Sequence, residues 1–313
     1  MTSPSAAARP VLITGANRSG TTWVGDMLCR GDGIVYMHEP FNPQVRPQWF
    51  TGLPFERTQY IDDSNADLYK QRLEGLVSAR PPWRHLLSDM GSASSVRGAK
   101  TLNDISRSVR KGARLVLKDP LAVFASKHLS SAYEVDVVVC VRQPTAYAGS
   151  LKRMGWAFDF GNWTRQSQFL EGPAQPWAEE IERAANSSID LVDTAILRWK
   201  VTYSILDRWR REDPRWTVVD HSTLAKDPER GFEDLYATLK IPFVDGVRHE
   251  IVKVNAPGNT FLVADHDKGG TERDSAATID TWKSRLTPAE VERVLEATAG
   301  VAHAYADIGS DDW

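Results

Sequence analysis

Apolar positions along this chain follow two rhythms. Short apolar runs at residues 11–13, 34–37, 114–117, 135–141 and 216–219 read as strands of the buried type. Between them apolar residues recur at three- and four-residue intervals. Leu68, Leu73, Leu76 and Val77 predict a helix over 67–80, and Ile189, Val192, Ile196, Trp199, Tyr203, Leu206 and Trp209 predict a long one over 187–213. Further helices are expected at about Thr21, after Pro144, over 228–240 and over 288–299, the last opened by Thr287 as N-cap. Strands alternating with helices imply an α/β domain, a central parallel sheet flanked by helices on both faces. The chain is read as one domain over 1–313, with residues 44–110 as an insertion or lid.

The first strand runs straight into chemistry. Residues 11–28, VLITGANRSGTTWVGDML, read as strand, small polar loop and helix. Such a loop presents backbone N–H groups at a helix N-terminus, where the dipole favours an anion. Arg18, Ser19, Thr21 and Thr22 add a cation and three hydroxyls to the Gly15–Gly20 pair, which lifts phosphate binding above the reading as an ordinary strand-to-helix turn. Gly15, four residues and Gly20 give a P-loop-like spacing. Thr21 stands where the lysine of a nucleotide-triphosphate loop belongs, which argues against ordinary ATP or GTP hydrolysis.

Other strand ends carry candidate groups. In an open parallel sheet ligands bind outside the carboxyl ends of the strands, which is where His38, Glu39, Lys118 and Asp119 fall. The plain alternatives are a Glu39 that pairs with a cation or caps a turn, and a salt-bridged Lys118–Asp119 rim. After the run ending near residue 141, Arg142 precedes a helix opened by Pro144 and carrying Ser150 and Arg153. Arg supplies a planar fork for a phosphate monoester and Ser a neutral donor. Residues 154–177 are rich in aromatics mixed with Gly and Asp, and Trp156, Phe158, Phe160 and Trp163 read equally as an aromatic wall for a sugar or as a satellite core under a loop.

Arg18 to Trp23, RSGTTW, resembles at every position the first cofactor motif of sulfotransferases that use 3′-phosphoadenosine 5′-phosphosulfate (PAPS). Arg142, Pro144 and Ser150 are similar to that family's 3′-phosphate motif in order and spacing. The resemblance implies that Arg18, Ser19, Gly20, Thr21 and Thr22 cradle the 5′-phosphosulfate, that Trp23 lies near the adenine, and that Arg142 and Ser150 hold the 3′-phosphate. It also implies Glu39 as the base, as in members resembling the tyrosyl-protein and carbohydrate enzymes, with Lys118 contacting the sulfonate or acceptor. Cytosolic members place a His after the equivalent strand, and Leu-Lys-Asp-Pro replaces it here, so His38, Lys118 and Asp119 stay open as bases. A late loop over 254–286 is expected to close the cofactor site through Lys268, Gly269 and Arg273, followed by Trp282 and Lys283. The expected reaction needs no metal, and its acceptor is a small-molecule or glycan hydroxyl, with a phenol or peptide as alternatives.

Composition narrows the partners. The 313 residues carry a formal charge of −3, giving no global basic field for nucleic acid. Two cysteines, Cys29 and Cys140, support neither a zinc cluster nor a disulfide framework. No apolar run reaches the roughly 18 residues a membrane helix needs, and the N-terminus lacks a signal-like segment, so a cytoplasmic protein is expected. Two rivals remain: a P-loop kinase, which would need the missing lysine and Mg²⁺, and a nucleotide-sensing module without a base.

Overall fold

The strand nearest the N-terminus lies at the centre of the sheet. In the computed structural model, which describes residues 9–46, 49–80, 93–259 and 274–308 (backbone only for 93–101), Val11–Thr14 (β1) is flanked by strands from over a hundred residues later. Ile34–His38 (β2), Arg114–Lys118 (β3), Asp136–Val141 (β4) and Trp216–Asp220 (β5) complete a five-stranded sheet of order β2-β3-β1-β4-β5. Every pairing is parallel. Parallel register therefore brings the carboxyl ends, Thr14, His38, Lys118, Val141 and Asp220, to one edge.

Alternation along the strands sends successive side chains to opposite faces. Leu12, Leu115, Leu117, Val137, Val139 and Val141 face one layer, and Val11, Ile13, Val116, Val138 and Cys140 the other. Helices Thr21–Leu28 (α1), Ala66–Val77 (α2), Ala93–Arg110 (α3), Ser126–Tyr133 (α4), Pro144–Met154 (α5) and Leu191–Glu212 (α6) follow in order. His221–Lys226 (α7), Pro228–Thr238 (α8), Asp245–Val254 (α9) and Pro288–Ala302 (α10) complete the set used below. Helices α2 to α6 and α10 cover the first face, and α1 with α7 to α9 covers the second.

Most expected helices form, with ends moved by caps. Helix α6 begins at Leu191, a turn later than the apolar spacing predicts, because Asp190 accepts a hydrogen bond from Asp193 N at 2.7 Å and stops the helix there. Thr287 and Glu290 close a reciprocal capping box at the start of α10. The aromatic stretch joins the main core rather than a satellite one: Phe160, Trp163 and Phe169 are buried around Phe124 in the cluster that holds Val137 and Val139, and Trp156 is left 40% exposed. Within the segment read as an insertion, Leu73, Leu76, Leu102 and Ile105 pack with Leu115 and Leu117 of β3. Among the described residues no helix is long and apolar enough to cross a membrane.

Candidate active site

The β1–α1 loop is held open by its backbone and by one tyrosine. Gly15 has φ 138° and lies so close to Cys140 O that a Cβ would collide with it. Gly20, the N-cap of α1, has φ 93° and offers no side-chain cap, so the first N–H groups of the helix are left for a ligand. Arg18 adopts φ 75°, a left-handed conformation that disfavours a residue with a Cβ. The Tyr203 hydroxyl donates to Cys140 O (2.8 Å) and accepts from Ala16 N (3.3 Å). Since its single proton is spent on Cys140, Ser19 Oγ at 2.6 Å must be the donor in that pair. The Ser19 hydroxyl is thus turned toward the core, and its backbone N–H donates to Ala16 O at 3.1 Å, so the N–H groups left open in the loop begin at Gly20. Arg142 completes the clasp, its Nη1 donating to Arg18 O at 3.1 Å.

Around this loop cations gather, and no described carboxylate pairs with them. Arg18 Nε donates to Ser150 Oγ at 3.2 Å, and its guanidinium lies 5.6 Å from the centroid of the Trp156 ring. Arg142 is 8% exposed, and its Nε is buried with no hydrogen-bond partner. Burial, then the charges of Arg18, Arg285 and Arg153, push the Arg142 guanidinium down to about 10, with Tyr203 opposing. Arg18 is lowered by burial, then by Arg153 and Arg285. No carboxylate opposes these arginines among the groups that perturb them. Four mutually repelling cations beside uncapped helix N–H groups make this edge electrostatically suited to a polyanion.

Arg285 is the member that sequence reasoning missed. It follows a 3-10 segment, Ala276–Ser284, that lies against α5. Gly149 permits the approach: a Cβ there would stand 2.9 Å from Trp282 Cβ and 3.7 Å from Arg285 Cβ, beside Ser150. Trp282 is seated at that contact with its Nε1 buried and without a partner, whereas Lys283 pairs outward with Asp280 at 3.0 Å. Lys268, Gly269 and Arg273 lie outside the described residues. Trp23 is almost fully buried, its Nε1 donating to Asn255 Oδ1 at 2.9 Å and its ring between His221 and Phe232.

At the ends of β2 and β3 a second cluster forms. Lys118, buried, donates to Glu39 Oε1 at 2.5 Å, and Asn42 Nδ2 donates to Glu39 Oε2 at 2.7 Å. Burial alone would raise the Glu39 carboxyl, but Lys118 and Asn42 outweigh it and hold the group below the usual range. His38 is lowered to about 4, by burial and then by Lys118, and is neutral at pH 7. Asp119 points inward, taking N–H bonds from Phe41 and from Leu121 (2.8 Å). Burial pushes it up to about 7, yet with no exposed surface it cannot meet an acceptor. Asp119 instead fixes the turn at Phe41, and with Glu39 N donating to Lys118 O at 2.8 Å it sets where Glu39 points.

The sulfotransferase family matches residues 10–245 of this chain. The sulfotransferase domain of the curacin biosynthetic pathway superposes with a TM-score of 0.52 at 14% identity, covering 93% of this chain and 98% of that one. The sulfotransferase domain of the Synechococcus PCC 7002 olefin synthase is 18% identical, with a TM-score of 0.47 over 93% and 95% of the two chains. Mouse sulfotransferase SULT7A1, solved with PAP, is 11% identical, with a TM-score of 0.45 over 96% and 87%. No curated protein matches. The curacin-pathway likeness speaks for the fold, while the family match runs from the residue before β1 to the first residue of α9 and takes in every strand of the sheet. On that span the chain belongs to the PAPS-dependent sulfotransferases.

Proposed function

We propose that this sulfotransferase moves the sulfuryl group of PAPS directly, by in-line displacement, onto an acceptor hydroxyl, and that the two clusters divide the work. The donor supplies an activated sulfuryl group and two anionic ends. Arg18 with the N–H groups of residues 20–22 would hold the 5′ end, and Arg142, Ser150 and Arg285 the 3′-phosphate. The observation that carries the reading is the Arg142 Nε, buried without a partner in a group of four arginines that no described carboxylate pairs. A buried donor left unmade costs about 1–3 kcal/mol, a cost a phosphate oxygen would relieve.

Glu39 is the proposed base. It is ionised at neutral pH and must come within about 2.6–3.2 Å of the acceptor hydroxyl to take its proton. Lys118 orients the carboxylate and adds positive charge where the sulfonate oxygens gain negative charge. Trp156, exposed beside Arg18, offers an apolar face to a sugar or glycosylated metabolite, the acceptor class we favour. Arg285, packed on α5 through the 276–284 segment, would complete the 3′-phosphate contacts. Free Cys29 and Cys140 suit a cytoplasmic setting.

Calorimetric titration with adenosine 3′,5′-bisphosphate, against ATP with Mg²⁺, tests the donor site. Tight, metal-independent binding of the bisphosphate supports the reading. Binding of Mg-ATP alone overturns it and points to the kinase alternative. Glu39→Gln should retain bisphosphate binding and lose transfer, whereas a sensing module would show no transfer to lose.

A further inference from the structure

We propose that Arg46 binds an anionic group, a carboxylate, phosphate or sulfate, carried by the acceptor, so that the favoured substrates are negatively charged hydroxyl compounds. The inference rests on the reading of the β2–β3 cluster as the acceptor end of the cleft. Arg46 closes the turn that starts at Glu39: Asn42 N donates to Glu39 O at 3.1 Å, and Arg46 N to Asn42 O at 2.8 Å. Its charge reaches His38, whose Nε2 lies 3.7 Å from Glu39 Oε1, so the arginine neighbours the proposed base. The Arg46 Nε is buried and has no hydrogen-bond partner.

No carboxylate among the described residues answers this charge. Glu39 is the acid at hand, and its two oxygens are engaged by Lys118 and Asn42. Lys118 is matched by Glu39, and no ion pair joins Arg46 to any described carboxylate. A partly buried arginine with an unmade Nε bond is costly unless something returns to complete it. Its planar fork matches a carboxylate or phosphate through two parallel bonds, a geometry a neutral hydroxyl cannot supply.

The test uses the intact protein and acceptor pairs that differ in one ionised group: the methyl ester of glucuronate with glucuronate, and methyl 4-hydroxybenzoate with 4-hydroxybenzoate. Binding is measured by calorimetry with adenosine 3′,5′-bisphosphate saturating, and transfer with radiolabelled PAPS. The wild type should favour the charged member of a pair. Arg46→Gln should weaken that member about 10- to 100-fold, chiefly in KM, and leave the neutral one unchanged. Arg46→Lys should restore part of the preference. Equal treatment of both members by the wild type, or a preference that survives Arg46→Gln, overturns the proposal. Failure of the wild type to bind the bisphosphate strikes at the reading of the cleft instead, so the two failures are told apart.

Discussion

Arg18 does two jobs that its backbone and side chain can be made to do separately. Its left-handed φ costs on the order of 1 kcal/mol, a strain glycine would not feel, while its guanidinium faces Ser150 and Trp156. Arg18→Gly should therefore leave urea stability equal or higher and cut kcat roughly 10²- to 10³-fold, as for loss of a transition-state donor. A parallel loss of stability would mean that the side chain props the loop rather than serving the reaction. The pH profile belongs to this scale too. His38, lowered to about 4, contributes no inflection between pH 6 and 8. Glu39, held below its usual range, keeps its ion pair above the ordinary carboxyl pKa and loses it as pH falls through the lowered value. Activity and the pair's share of stability should both fade as pH falls through the lowered Glu39 value, and since His38 also titrates in the acid range, loss of transfer in His38→Gln with Glu39→Gln still active would instead name His38 as the base.

Elements carry the geometry that single residues exploit. Gly149 lets the 276–284 segment lie on α5, so Gly149→Ala should push Trp282 away, take Arg285 with it, and cost about 1–3 kcal/mol as overpacking does. Bisphosphate affinity should fall with it, and calorimetry beside urea denaturation would read both. Motifs confined to one strand–loop–helix unit were legible in the sequence: RSGTTW and the Arg142–Ser150 pair sit where their spacing puts them, at adjacent strand ends. Arg285 was not legible, because only tertiary contact with α5 joins it to Arg18 and Arg142. Tyr203 read as one more apolar position on the stripe of a long helix. It is buried as that stripe requires, yet its hydroxyl also anchors the loop, and periodicity says nothing of a hydroxyl. The aromatic stretch stayed ambiguous since short helical turns at Gly161–Thr164 and Ser167–Glu171, rather than one helix, fold its rings together.

Across the whole molecule a formal charge of −3 conceals a local excess of arginine at one edge of the sheet. Without a polyanion those arginines repel one another. Ligand should therefore stabilise the fold strongly, about 2.7 kcal/mol at a hundred times its Kd, and less at high salt. Arg285→Gln should leave the unliganded melting temperature equal or higher while shrinking the rise that the bisphosphate produces. A scan with and without ligand decides it, and an undiminished rise would remove Arg285 from the site.

The central place of β1 also sets an order in time. Its partners β3 and β4 come about a hundred residues later, and the Ser19–Tyr203 bond spans 184 residues. On the ribosome the β1–α1 loop is made well before its partners, and its clasp must wait for Arg142 and then for α6. Until Tyr203 emerges, the loop has no fixed shape to offer a nucleotide. Chains arrested before that residue should be digested at the loop by protease, and chains arrested well beyond it protected, so the donor site matures late from an early sequence.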